Sequence, residues 1–470
     1  MVVAFDYETL KEKLLKDGKL KSHSTGNAYD LLPISQNSKL IRGNFSESLG
    51  EFVRKITKSK VKQVKPKDTD TKMETDVDFI TEYIAENMEF NSDDERYDFI
   101  KLINSYLFSS DQLIVAVHPF LYNFMNVESN KYNKYAVFLS DIFVNDNEDI
   151  KQLFESNESD NIVIKVILDK IKQLRVKDSK EVQHTFVNML PNFTALYQKD
   201  LLYLSKNKDK FLKDFPLLTH FYAFMYMIQL LVQFNLFEKA DYSKCEPLYF
   251  ALDWETISKR RSAAKELNSY KLIKEHLSDL FAHIHALSQL SYNTISMQED
   301  KNMVFGYSDL WSKIQLEGPE YEANFIREFK SWILEYRKSI DAPSICDMPI
   351  TNDYPSLIRL FFDSLKIGTS DSVRKKNGET IENMGADAFL KARGSLGSLF
   401  NIRHDLLMLL TGVIVKDERK PLKIVFEEFE KRGIKFDRYS KQEIIVLYNS
   451  HNMLDKKSDS GDAQYVKPIL

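Results

Sequence analysis

Residues 215–237 form twenty-three consecutive positions without a formal charge, and so long an apolar run has two destinations, a bilayer or a protein core. The run holds Thr219, His220, Gln229, Gln233 and Asn235. Hydrocarbon offers such groups no hydrogen-bond partner, so the expected destination is a core helix. A chain that buries this much surface around one segment needs many other helices to cover it. Only 14 glycines and 12 prolines punctuate 470 residues, fewer than a turn-rich β architecture requires. The fold class expected is mainly α, a multi-helical body.

Apolar residues three and four apart recur over residues 77–336, with residues 162–174 and 270–290 the clearest stretches. Polar breaks at 145–149 and 156–161 divide them. No repeat of 20 to 50 residues is visible, which argues against a solenoid. The length suggests about three folding units. Four segments are expected: a basic N-terminal segment over residues 1–67, a helical body over 68–340, a linker with connecting helices over 341–400, and a last domain over 401–470. The linker is marked by Pro343, Pro349 and Pro355, then by residues 368–372 and the run Arg374-Lys375-Lys376-Asn377-Gly378.

The overall charge of -4 supplies no global field for a polyanion, so any basic surface must be local. Residues 1–67 carry fourteen Lys or Arg against seven acids, and residues 68–100 reverse the sign with twelve acids against Lys72 and Arg96. The two stretches read either as solvated faces or as a charge-paired loop and helix. Cys245 and Cys346 stand far apart, and the first residues lack a basic region followed by an apolar one. A reducing cytoplasm without membrane attachment is the expectation.

The last seventy residues are the most informative. From Arg403 a helix carries Leu406, Leu407, Leu410, Val413 and Ile414. A second opens after Pro421 with Leu422, Val425, Phe426 and Phe429, and Gly433 supplies its left-handed stop. Ser440-Lys441-Gln442-Glu443 matches a capping box, which would start a third helix there, with Ile444, Leu447 and Tyr448 inward. Two short strands follow, joined by a turn at Asp459-Ser460-Gly461-Asp462. Three helices and a hairpin is the order of a winged helix-turn-helix module. In such a module the third helix can enter a major groove while wing lysines touch phosphate. The outward candidates are Arg438, Lys441, Gln442, Asn449, Lys456 and Lys457. Thirteen cations against eleven acids over residues 403–470 is a thin surplus for reading DNA, and Asp437, Asp459 and Asp462 would oppose phosphate. Protein docking stays open as the alternative use.

Catalytic chemistry leaves little trace. No Gly-x-x-x-x-Gly-Lys-Ser/Thr loop occurs, so an intrinsic P-loop ATPase is excluded, and no cofactor is expected. His283 and His285 stand two apart, which on a helix turns them away from a shared metal. Asp309 with Glu328 and Lys330 has the letters of a metal-dependent nuclease, yet Phe325, Phe329, Trp332, Ile333 and Tyr336 make that segment an amphipathic helix rather than a strand. No catalytic or metal site is expected.

Residues 426–433 (Phe-Glu-Glu-Phe-Glu-Lys-Arg-Gly) leading to Phe436-Asp437-Arg438-Tyr439-Ser440, and the ending 457–466, resemble the C-terminus of the DptG family. His23-Ser24-Thr25-Gly26-Asn27 through Leu31-Leu32-Pro33 is similar to that family's opening segment. The resemblance covers roughly a fifth of the chain. It implies a non-catalytic subunit of a DNA phosphorothioation-dependent restriction system, which acts against DNA lacking a sulfur-modified backbone. The partners it implies are DptF-like and DptH-like subunits, with double-stranded DNA as the further candidate. A metal-dependent nuclease subunit, or a helical interaction scaffold unrelated to restriction, are the alternatives.

Overall fold

In the computed structural model the apolar run, all but its last residue Phe237, lies in one helix, Lys208–Leu236, and each of its five polar residues has a partner inside the protein. Tyr197 Oη lies 3.0 Å from Thr219 Oγ1, His220 stacks on Phe45 at 4.2 Å, and Asn235 donates to the Leu231 carbonyl. Gln229 accepts from Glu246 N at 2.7 Å and donates to Glu246 O at 2.8 Å, while Gln233 accepts from Asp241 N. The glutamines thus bind the backbone of the chain that follows, which offsets the cost of burying an amide. By length and composition the helix would also cross a membrane, and 78% of its most apolar window is buried in the protein.

The structure describes residues 3–26, 28–34, 37–62, 79–108, 114–127, 131–179, 184–256, 268–340, 351–456 and 464–469. The molecule is mainly helical, with small sheets added. The chain divides into two units, one of residues 1–43, 185–196 and 221–469, the other of 44–184 and 197–220.

In the second unit, Ile80, Ile84, Ile103, Leu107, Phe120 and Leu168 are among the residues of one core cluster. Helix Leu49–Ile56 approaches another segment so closely that a Cβ on Gly50 would sit 2.2 Å from the Met125 carbonyl oxygen. Arg54, from the basic N-terminal run, is buried here and donates to the carbonyls of Asn123 and Met125 and to Glu51. Of the two stretches read as solvated faces or a charge-paired loop and helix, 1–67 and 68–100, residues 63–78 lie outside the described residues.

The first unit contains the C-terminal elements: helices His404–Val415, Leu422–Lys431 and Arg438–Ser450, and strands Lys420–Pro421, Leu454–Lys456 and Gln464–Val466. Those strands form one antiparallel sheet in the order Leu454–Lys456, Gln464–Val466, Lys420–Pro421. A second sheet orders Leu390–Ala392, Ser398–Ile402, Leu248–Leu252 and Ile434–Lys435, with Leu248–Leu252 parallel to both neighbours. Leu248–Leu252 is buried on both faces, and a short apolar run of that kind carries no period by which to recognise it.

Within residues 341–400, expected to be a linker with connecting helices, Tyr354–Ile367 starts with Pro355 in its first turn, and Arg374 to Gly378, offered as marks of the linker, lie inside helix Asp371–Gly385. Gly378 is there because the Leu277 backbone passes close, with its carbonyl oxygen 2.6 Å from where a Cβ would be. The capping box is also displaced. The third C-terminal helix starts at Arg438, its N-cap is Asp437, and Asp437 Oδ1 accepts from Ser440 N at 2.7 Å. Ser440 sits buried in the first turn, donating to Glu255 Oε2 at 2.9 Å.

Candidate nucleic-acid interface

The helix Arg438–Ser450 turns Ile444 and Tyr448 into the core, where Tyr448 Oη meets Thr411 Oγ1 at 2.6 Å. The opposite face carries Arg438, Tyr439, Gln442, Glu443, Val446 and Asn449, all exposed. Three of the outward candidates therefore stand where the sequence places them, on one face at helical spacing: Arg438, Gln442 and Asn449. Lys441 does not. It is half-buried with its ammonium 5.1 Å from the Phe426 ring centroid, a cation–π contact that ties it to the second helix. The side chain of Lys456 and the whole of Lys457 fall outside the described residues, as does the Asp459 to Asp462 turn.

Asp437 is the N-cap of this helix, and its Oδ1 accepts the Ser440 N–H at the positive end of the helix dipole. Replacing it removes that partner, so Asp437→Ala is expected to lower stability by about 1 kcal/mol, read as a shift in urea midpoint, with Asp437→Asn retaining most of it.

Many cations of the module are neutralised within it. Arg419 and Lys467 both reach Asp455, Lys431 and Arg432 both reach Glu428, and Arg403 reaches Asp405. Lys420, Lys435 and Arg438 form no ion pair among the described residues. Lys420 and Lys435 were not singled out by sequence, since neither lies on the third helix; the strands that carry them are two residues long and have no sequence signature. The sequence also passed over Tyr439 and Val446, which are 59% and 63% exposed on the outer face. The available signal was their position off the Ile444 and Tyr448 stripe.

The second and third helices are separated by six residues, 432–437, longer than the tight turn of a simple helix-turn-helix. The strand Ile434–Lys435 occupies that length. Gly433, at φ +79°, makes the bend into it, and its carbonyl accepts from Leu248 N at 2.9 Å. Phe436 then packs edge-on against Phe429 and Phe426.

The other candidate centres do not assemble. Asp309 lies on helix Tyr307–Leu316, Glu328 and Lys330 on helix Pro319–Ser339. Glu328 accepts the backbone N–H groups of Ala4 and Phe5 at 2.9 and 2.8 Å, and Lys330 donates to Asn352. His283 is fully buried, stacked on Phe362 at 4.3 Å with Nδ1 3.0 Å from Tyr307 Oη, and burial pushes its imidazole down to about 3. His285 lies against Phe281 and His23, and burial lowers it to about 4. Among the described residues no three His, Cys, Asp or Glu side chains group as a metal site. Burial raises Cys245 to about 12, which leaves it a thiol rather than a nucleophilic thiolate. No protein-family model matches the chain, and no curated protein matches it.

Proposed function

We propose that the C-terminal elements are a winged helix-turn-helix module and that the protein is a non-catalytic subunit of a DNA phosphorothioation-dependent restriction complex, which it helps assemble or dock on DNA. The observation that carries the fold reading is the strand order. The strand just before the second helix pairs with the last strand of the chain, which pairs with the strand leaving the third helix. In a wing of that kind the hairpin lies beside the third helix, which leaves the outer face of that helix available.

The restriction reading rests on the resemblance to the DptG family. Of the residues that carry it, 426–433 and 436–440 form the later part of the second helix, the bend at Gly433 and the start of the third helix. DptF-like and DptH-like subunits are the proposed partners, and the cytoplasm the proposed location. A test is co-purification with those partner subunits expressed alongside. Retention of the complex is expected; a chain recovered alone under conditions where the partners assemble with each other overturns the assignment.

For DNA, the exposed Arg438, Gln442 and Lys435 are sharper probes than Lys441, whose change would also disturb Phe426. Arg438→Glu with Lys435→Glu is expected to weaken binding of a duplex by roughly tenfold at low salt and to flatten its salt dependence. A specific observation favours the second reading, protein docking: Tyr439 and Val446 present apolar surface on the same face, and aromatic anchors are typical of protein interfaces. If Val446→Asp releases a partner subunit while the charge reversals leave DNA affinity unchanged, the face docks protein.

A further inference from the structure

Helix Asp371–Gly385 turns a polar stripe toward another part of the chain. Ser372, Lys375, Lys376 and Glu379 stand at i, i+3, i+4 and i+7, the spacing at which a helix facing its own protein normally carries apolar side chains. Opposite them lie residues 37–40, far earlier in the sequence, and the two walls border an open cleft of about 920 Å³. All of its lining residues belong to the first unit. Both walls are anchored. Asn383 Nδ2 donates to the buried Ser38 Oγ at 3.0 Å, Ile41 is buried, and Gly378 seats the helix against the Leu277 backbone.

The charge in the cleft is one-sided. Lys39 on one wall and Lys375 and Lys376 on the other are exposed and form no ion pair among the described residues. Against these three ammonium groups the lining offers one carboxylate, Glu379. Its place four residues after Lys375 is the weaker order for a helical pair. The neighbouring cations are already matched, Arg374 by Asp371 and Arg42 by Asp387. Like charges gathered in a concave site focus a positive potential there, and an anion from outside is what relieves it.

We propose that this cleft binds a linear oligophosphate, a chain of two or more linked phosphate groups. Lysine ammonium groups bind phosphate as point charges, and here they come from both walls. The stripe from Ser372 to Glu379 runs about 10 Å along the helix, more than a single phosphate spans. The volume is in the range of small-ligand sites. Nucleoside triphosphates and inorganic polyphosphate share this chemistry. The cleft has no residue in common with the C-terminal module, so the proposal stands whether that module binds DNA or protein.

The test is calorimetric titration of the full-length chain with sodium tripolyphosphate in metal-free buffer. Lys39→Gln with Lys375→Gln removes one ammonium from each wall and is expected to weaken binding about tenfold, whereas Glu379→Gln is expected to strengthen it about threefold. Both changes fall on exposed side chains, and circular dichroism checks that the fold is kept. Lys16→Gln with Lys19→Gln, on the hairpin near the N-terminus, makes the same change in net charge elsewhere and should leave binding as it was. No binding by the unaltered chain overturns the proposal, as does an equal loss in the hairpin variant or an orthophosphate affinity equal to that of tripolyphosphate. Two further ligands separate the sources. Adenosine triphosphate binding more tightly than tripolyphosphate supports a nucleotide, and equal affinity with no binding of adenosine supports the phosphate chain alone. Lost affinity for a 20-base-pair duplex in the two-wall variant, with no tripolyphosphate binding, would overturn the proposal in favour of a nucleic-acid backbone.

Discussion

Gly433→Ala is expected to cost about 2–4 kcal/mol, a large part of the stability of a typical domain. Two effects add. An L-residue held at φ +79° is strained by roughly 1–2 kcal/mol. The new methyl would also lie 2.7 Å from both Gln229 Nε2 and Met225 Cε. Those are side-chain ends, yet neither moves cheaply. Met225 is fully buried, and the Gln229 amide is held by two hydrogen bonds to the Glu246 backbone, each contributing about 1 kcal/mol. Gly18→Ala separates the two effects, because Gly18 has φ +73° with nothing within 4 Å of its would-be Cβ. Urea denaturation should show the Gly433 variant losing clearly more than the Gly18 variant. Equal losses would mean that the fit against Gln229 and Met225 contributes nothing.

Acidification between pH 6.5 and 5 is expected to remove roughly 2–4 kcal/mol of stability before most carboxylates titrate. The sign follows from the direction of the shifts. His283 and His285 are held neutral by burial, with folded values of about 3 and about 4 against about 6.5 when unfolded. Below pH 6.5 the unfolded chain binds protons that the folded chain refuses, at about 1.4 kcal/mol per pH unit for each such group. His285 is only partly buried by accessible area and contributes the smaller share. His23 and His118 shift in the same direction, again through burial. Asp279, itself paired with Lys366, opposes the His283 shift without cancelling it. His283→Gln should flatten the plot of stability against pH in this window by close to one proton. A profile level from pH 6.5 to 5 in the unaltered protein would contradict the neutral, buried imidazoles.

The sequence made the helices legible wherever burial has a period. Residues 162–174 and 270–290 are helical almost to the residue, and residues 215–236 lie in a core helix with partners for all five polar groups. Gly433 was readable as a stop because few other residues take that conformation. What escaped was set by distant chain. The capping box at Ser440 failed because Asp437 caps more directly, and because Glu255, nearly two hundred residues away, takes the Ser440 hydroxyl. Gly378 looked like a linker glycine, since nothing local announces the Leu277 backbone against it. The basic charge of residues 1–67 was visible, but the pairing of Ser59–Val61 with Arg175–Lys177 was not, because strands of three residues carry no pattern of their own. Of the candidate site, the outward face of the last helix was legible, and the contact of Lys441 with Phe426 was not.

Because Ile434–Lys435 is hydrogen-bonded into the sheet beside Leu248–Leu252, and Ser440 is tied to Glu255, the third C-terminal helix is mounted like a rigid arm. A module on a flexible linker searches a volume and gains avidity from its effective concentration. This one has no such freedom: Arg438, Gln442 and Asn449 are held at one fixed attitude to the rest of their unit. Torque applied there passes directly into the sheet.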